Sequence, residues 1–311
     1  MSQILFVFDN GKLNKKLSKI DLLSPMLEFH FQDNQLFFNI SKNEKFPYPV
    51  YLRYFGSCES LDLKIILNEN SKLTLIEEFS SQDQHEYTLN SNVNISLDKY
   101  SSIDYYKLQN QNKKSFHQSF IQVEQKESSE SKLFFSDSGG SKSKSKLKVK
   151  LNERNASSNI YGLYLLNEDA QQVDNIINVE HLAGQCESSM SFKGVLDNKS
   201  KAKFEGKVYV HKNAKSTKAN QENHNLLLTS KADVTSKPIL EIYNDDVKCS
   251  HGSTVGQIDK DAIFYLNTRG IDKVNSIKML IDAFVLEIID KVDNELIQKY
   301  IKQRVLSNEP I

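Results

Sequence analysis

Apolar and polar residues alternate through much of this chain. Leu147, Val149 and Leu151 are spaced by lysines, and Ala202, Phe204, Gly206, Val208 and Val210 are spaced by Lys201, Lys203, Glu205, Lys207 and Tyr209. A period of two marks a half-buried strand. Polar clusters punctuate the alternation at Asn152–Asn155, Asn167–Asp169, Asp197–Ser200, Lys212–Asn213 and Thr229–Lys231, and a small residue follows each: Ala156, Ala170, Ala202, Ala214 and Ala232. With one further turn near Gly184–Glu187, the spacing is about 15 residues. That exceeds the roughly 8–12 residues usual between strands of a sandwich. Strand–turn units of this size predict a solenoid whose stacked rungs bury one continuous core.

Before Leu147 the pattern is less regular. Leu36–Ile40, Val50–Phe55 and Leu61–Leu67 are short and rich in β-formers, so they read as strands. Gln122–Lys146, with Glu127–Lys132 and Ser141–Lys146 inside it, is the most polar stretch and reads as exposed turns or a mobile loop. After Gly256 the period changes. Ile277, Leu280, Ile281, Phe284, Val285, Ile288 and Ile289 make one wide helical stripe with Asp272 and Lys273 at its start. A shorter helix precedes it over Asp259–Arg269, ended by Gly270. A third stripe follows at Leu296, Ile297, Tyr300, Ile301 and Val305. Such a subdomain would cap the open end of the solenoid, dock a partner, or do both. The expected layout is mostly β: an N-terminal segment over 1–50, a β-helix core over 51–256 and a helical domain over 257–311.

Composition excludes more than it assigns. The 311 residues carry 40 basic and 40 acidic side chains, interspersed along the chain. That balance argues against a nucleic-acid footprint or a membrane-binding face. No apolar run approaches the roughly 20 residues of a membrane span, and the first residues do not read as a signal peptide. The three cysteines, Cys58, Cys186 and Cys249, form no Cys-x-x-Cys pair and suit a reducing cytoplasm. Phosphate-loop, dinucleotide, nucleophile-elbow and His-Glu-x-x-His motifs are missing, so the chain is expected not to be an enzyme.

The candidate chemistry lies in Asp245–Gly256. Cys249 and His251 are two residues apart, and in a strand residues i and i+2 share a face. Gly252 and Gly256 are expected to let the backbone turn just beyond them. Two ligands leave a tetrahedral site half filled, so if the pair binds metal the others would come from elsewhere, another chain being one source. His181 reads as a rung-end or packing histidine, Cys186 as a small buried hydrophobe, and Gln221–Asn225 as amides and acids stacked on a rung edge.

Several of these stretches carry a resemblance. Asn178–Leu182, Phe192–Asp197, Gln221–Asn223, Leu226–Leu228, Leu240–Gly256 and Ala262–Ile271 together resemble the SufD family, subunits of the SUF iron–sulfur assembly machine. The likeness runs over about Leu147–Ile289 and is poor in the first 130 residues. The chain looks short for the family, with a reduced N-terminal helical region. SufB-like chains place Asn-x-Thr-Gln-Cys-Asp near Leu226–Lys231. Here the sequence is Leu-Leu-Leu-Thr-Ser-Lys without cysteine, so SufD fits better than a SufB-like scaffold. His224 stands where arginine is common.

The resemblance implies a right-handed parallel β-helix and a non-catalytic scaffold. It implies pairing with SufB, docking of one SufC ATPase on the C-terminal helices, and no stably bound cofactor. Phe264, Arg269, Ile277 and Phe284 are the candidate partner-binding residues. His251, beside Cys249, falls at the implied SufB interface, where iron or a nascent iron–sulfur cluster is held transiently. A homodimer is expected to form when SufB is absent. The alternatives are a purely structural β-helix and a polysaccharide-active one. The latter are generally secreted, with clustered carboxylates that this chain lacks.

Overall fold

The computed structural model describes residues 4–19 and 27–306, with side chains of the last helix described as far as Gln303. Val305 of the third stripe therefore lies outside the described side chains. Strands β1 (Ile4–Asp9), β2 (Lys12–Leu13), β3 (Leu27–Gln32), β4 (Gln35–Ile40) and β5 (Val50–Phe55) open the chain. Longer strands follow: β6 (Cys58–Leu67), β7 (Lys72–Ser80), β8 (Thr88–Leu97), β9 (Ser102–Asn110), β10 (Phe116–Gln125), β11 (Glu130–Asp137) and β12 (Lys142–Leu151). The last are β13 (Ser157–Leu166), β14 (Gln172–His181), β15 (Glu187–Leu196), β16 (Lys201–Val210), β17 (Thr217–Leu227), β18 (Asp233–Ile242) and β19 (Val247–Gln257). Three helices end the chain: α1 (Lys260–Thr268), α2 (Lys273–Ile289) and α3 (Glu295–Leu306).

From β4 onward, odd strands build one sheet and even strands another. Each strand pairs in parallel with the strand two places away, so the two sheets are the walls of a parallel β-solenoid of about seven turns. The 15-residue spacing is one wall and its turn. The described strands of the first fifty residues join the same walls: β1 pairs with β5 and β4 with β6.

Register explains the stacking. Ile65, Ile95, Val123, Val149, Val179, Val208 and Leu240 follow one another in adjacent strands. All but Leu240 are at most 1% exposed. Like shapes on successive rungs interdigitate without cavities. At one corner Asn70, Tyr100, Ser128, Asn155, Gln185 and Ser216 take positive φ. The N–H groups of most of these donate to the carbonyl of the next rung, as from Asn70 to Lys99 at 2.9 Å and from Gln185 to Lys215 at 2.7 Å. The next residue then turns inward, and only a small side chain fits: Ser71, Ser101, Ser129, Ala156, Cys186 and Thr217 are all buried. Four of the five alanines noted in the sequence are buried likewise. Ala170 differs: it occupies a positive-φ position and is exposed, and Gln171 fills the interior place.

Two expectations are corrected. Gln122–Lys146 is no loop; it spans the end of β10, all of β11 and the start of β12. Ser129, Ser131, Ser143 and Ser145 face inward and find polar partners there. Ser131 donates to Gln125 at 2.7 Å and lies 2.8 Å from the Ser158 hydroxyl, and Ser143 donates to Asp137 at 2.9 Å. Polar composition masked an alternation of buried and exposed positions, because a buried hydroxyl costs little once paired. The helices, moreover, do not cap the open end. They lie on the outer face of the odd-strand sheet, where Ile281, Val285, Ile288, Ile289, Ile297 and Ile301 cover Ile76, Tyr106, Leu108, Phe134, Leu163 and Val195. The helix ends fall as expected: Asp259 and Asp272 cap α1 and α2 by accepting from their first-turn amides, and Gly270 takes φ +85° after α1.

His181 is fully buried in the core, with Nε2 2.8 Å from the Ser188 hydroxyl. Burial lowers its pKa from 6.5 to about 4. The unfolded chain therefore binds a proton that the folded chain refuses, and stability falls as pH drops from about 6.5 towards 4. From the size of the shift the loss is about 3 kcal/mol. Urea unfolding at pH 7 and 4.5 should show most of that loss disappear in His181→Gln. An unchanged pH dependence would assign the acid sensitivity elsewhere.

Candidate functional site

Strands β18 and β19 are the last of their sheets, and each is paired on one side only. Their outer edges form the open end of the solenoid. Cys249 and His251 sit on β19 opposite Ala219 and Gln221 of β17, whose side chains point into the interior. The two therefore share the inward-facing side of a strand that no further rung covers. Cys249 is half-buried beside Val208, Val210, Ala214, Ala219 and Leu240. His251 is exposed. Ser253, next in the same alignment, donates to Ser236 of β18 at 2.8 Å and joins the two sheets at this end.

Gly252 and Gly256 do not turn the backbone. Both lie within β19, and neither has a positive φ. A Cβ at Gly252 would meet only the Glu222 side chain at 4.0 Å, and one at Gly256 would meet nothing within 4 Å. The chain's own packing does not demand glycine there. Glycine inside a strand, with nothing of its own chain to accommodate, leaves room for another backbone to approach.

Burial pushes the Cys249 thiol above its ordinary pKa, and the Ala219 backbone hydrogen bond only partly opposes this. The thiol is thus protonated at neutral pH until a metal or a partner's cation draws the proton off. Among the described residues no group of three or more His, Cys, Asp and Glu side chains is placed to hold a metal. Cys249 and His251 present two donors at an open surface, and further donors have to come from outside the chain.

The amides of Gln221–Asn225 divide by parity. Gln221, Asn223 and Asn225 are buried inside the solenoid rather than on a rung edge, with Asn223 donating to the Tyr164 hydroxyl at 3.1 Å. His224 faces outward, its Nδ1 2.8 Å from the Thr254 hydroxyl. Cys58 and Cys186 are buried.

The partner-binding candidates also separate. Phe264 and Arg269 are exposed on α1 and its end, and the Arg269 guanidinium lies 5.1 Å from the Tyr265 ring. Ile277 and Phe284 are half-buried and pack against the solenoid. Phe284 lies under Lys193 of β15, whose Nζ is 4.3 Å from the ring. That Nζ also donates to the Phe284 carbonyl at 3.0 Å and pairs with Glu287. The sequence reading missed Tyr265, Val274 and Met279 and placed Leu296 on the third apolar stripe; all four are at least 50% exposed. Val274 and Met279 were visible as apolar residues off the α2 stripe.

An open-ended two-walled parallel solenoid with a lateral helical module defines a β-solenoid protein. The SUF-system FeS cluster assembly model for the SufBD core domain matches residues 57–284, and the chain belongs to that family. It is 32% identical over 242 residues to the iron–sulfur cluster assembly protein SufD of Escherichia coli, covering 77% of this chain and 56% of the relative. It is 29% identical over 252 residues to an iron–sulfur cluster assembly SufBD family protein of Synechocystis, covering 78% and 55%. A chloroplastic protein of Arabidopsis thaliana is 30% identical over 271 residues, covering 83% and 57%. The chain thus spans a little over half the length of these relatives. No helix among the described residues is long and apolar enough to cross a membrane.

Two measurements follow from this geometry. In the folded protein Cys249 should alkylate before Cys58 and Cys186, with a rate still rising at pH 9; equal labelling of Cys186 would contradict its burial. Lys193→Met removes the ammonium that ties the Phe284 carbonyl and Glu287 of α2 to β15, at a cost of about 1.5–3 kcal/mol, the usual worth of a hydrogen bond to a charged group. Amide exchange should quicken in α2 and α3 but not in β13 or β15. Unchanged exchange in α2 would show that the apolar contact alone holds the helices.

Proposed function

We propose that this chain is a non-catalytic scaffold subunit of SUF iron–sulfur cluster assembly. The observation that carries the reading is the open solenoid end. There the unpaired edges of β18 and β19, the two glycines that nothing in the chain requires, and Cys249 with His251 stand together. An exposed strand edge is a template for another chain's strand. In this reading SufB pairs across that end, and the SufD-like sequence of the chain supports the choice of partner. His251 and Cys249 supply two ligands to an iron ion or nascent cluster, the cargo of the complex, and SufB supplies the rest.

The second contact is on the helices. Exposed apolar side chains are ordinary singly and informative when grouped. Phe264, Tyr265, Val274 and Met279 fall on α1 and the first half of α2, away from the surface packed on the solenoid. We assign them, with Arg269, to docking of the SufC ATPase. Ile277 and Phe284 contribute by holding α2 in place. ATP hydrolysis then belongs to SufC, and the place of work is the cytoplasm.

The test is co-expression of the tagged chain with SufB and SufC from the same source, followed by native mass spectrometry. One copy of this chain with one SufB and two SufC is expected, and in the absence of SufB a homodimer through the same edge. A monomer that ignores both proteins overturns the reading. In the reconstituted complex His251→Ala should leave assembly intact and reduce cluster formation at least tenfold. Undiminished cluster formation would remove the ligand role and leave the pairing role standing.

A further inference from the structure

The interior of the solenoid is not uniformly apolar. Glu77, Lys107, His117 and Asp137 are each at most 1% exposed, in the middle of the stack. Glu77 and Lys107 are neighbours in register on β7 and β9. Facing them, Ser91, Ser119 and Ser145 stack in register on β8, β10 and β12. Part of this set is paired. Tyr105 donates to one oxygen of Glu77. Lys107 donates to Ser145 at 2.9 Å and to Asp137 at 3.4 Å, and Ser119 and Ser145 are 3.0 Å apart.

The rest is not. Ser91 Oγ and both ring nitrogens of His117 are buried without a hydrogen-bond partner, and Tyr54 Oη and Glu77 Oε1 have none besides each other. These are five of the seven such atoms among the described residues. They come from adjoining positions. The Tyr54 ring stacks on Phe79 at 4.8 Å, and Phe79 meets His117 edge-on at 4.6 Å. Each orphaned buried atom costs about 1–3 kcal/mol. Native proteins rarely leave such groups bare, and a buried water usually holds two to four of them.

We infer that the solenoid encloses a binding site for ordered water, built by Tyr54, Glu77, Ser91 and His117 beside the Lys107 ammonium. An imidazole offers one donor and one acceptor, a carboxyl oxygen an acceptor, and the two hydroxyls either role. That set matches water, which is both donor and acceptor. Burial also keeps His117 neutral and its pKa far below the usual imidazole range, with Lys107 adding to the effect, so the ring has one acceptor nitrogen to offer. The inference does not rest on the SUF reading, because it concerns groups far from the open end in register.

A crystal structure of the full chain at about 1.5 Å resolution or better tests it. Density for at least one water within hydrogen-bonding distance of a His117 nitrogen and of Tyr54, Glu77 or Ser91 is expected. Absence of that density, with the groups bonded directly to one another, overturns the inference. His117→Phe gives a solution readout. In a dry interior, removing two orphaned nitrogens raises the unfolding midpoint. Around bound water it removes partners and lowers the midpoint. If the variant fails to fold, the wild-type density decides.

Discussion

A parallel strand leaves both its edges unsatisfied until a neighbour arrives on each side. In this chain the neighbour is always the next turn of the same coil, so the rung-to-rung ladder is the interaction on which everything else rests. It aligns like side chains in columns and fixes which residues face inward. It also guarantees that the coil ends on two strands with free edges. The open end is therefore a direct consequence of the architecture. Cys249 and His251 fall on its last strand, on the inward-facing side that no further rung covers.

The same alignment makes the interior tolerant of polar residues where they occur in stacks. Ser91, Ser119 and Ser145 lie in one register column, and Glu77 and Lys107 in another. A lone serine in an aliphatic column would have no partner, whereas a column of them can bond along its own length, as Ser119 and Ser145 do. Burial still sets the electrostatics. The Glu77 carboxyl is pushed up by desolvation against the pull of Tyr105, Tyr54 and Lys107. The middle rungs thus carry polar contacts beside the aliphatic column that runs through the whole stack.

The helical module uses the outer face of the odd-strand sheet. One or two outward apolar residues from each of β7, β9, β11, β13 and β15 make a stripe that α2 and α3 cover. Polar contacts fasten its margins: Lys193 with α2, Lys132 with Asp293, and Tyr300 donating to Glu78 at 2.5 Å beside Arg53. The helices therefore bind five turns at once and brace the coil along its length. α1 buries none of its residues, and its Phe264 and Tyr265 stay exposed.

Much of the fold was legible because it is written in short-range periodicity. Period two gave the strands, the 15-residue spacing gave the coil, and Asp259, Asp272 and Gly270 gave the helix ends. The pair Cys249 and His251 was legible by the same rule, since i and i+2 share a face of any strand. What the sequence could not decide depended on neighbours distant along the chain. Gln122–Lys146 reads as a loop until the serines of adjoining rungs are seen to satisfy one another. Gly252 and Gly256 read as turn residues, yet the ladder to β17 keeps both extended. The helices could cap the end or lie along the side, and only the outward apolar stripe assembled from five strands selects the side. Local pattern determined the elements; tertiary contact decided which polar groups find partners and which edges stay open, because both depend on residues some thirty positions apart brought into register.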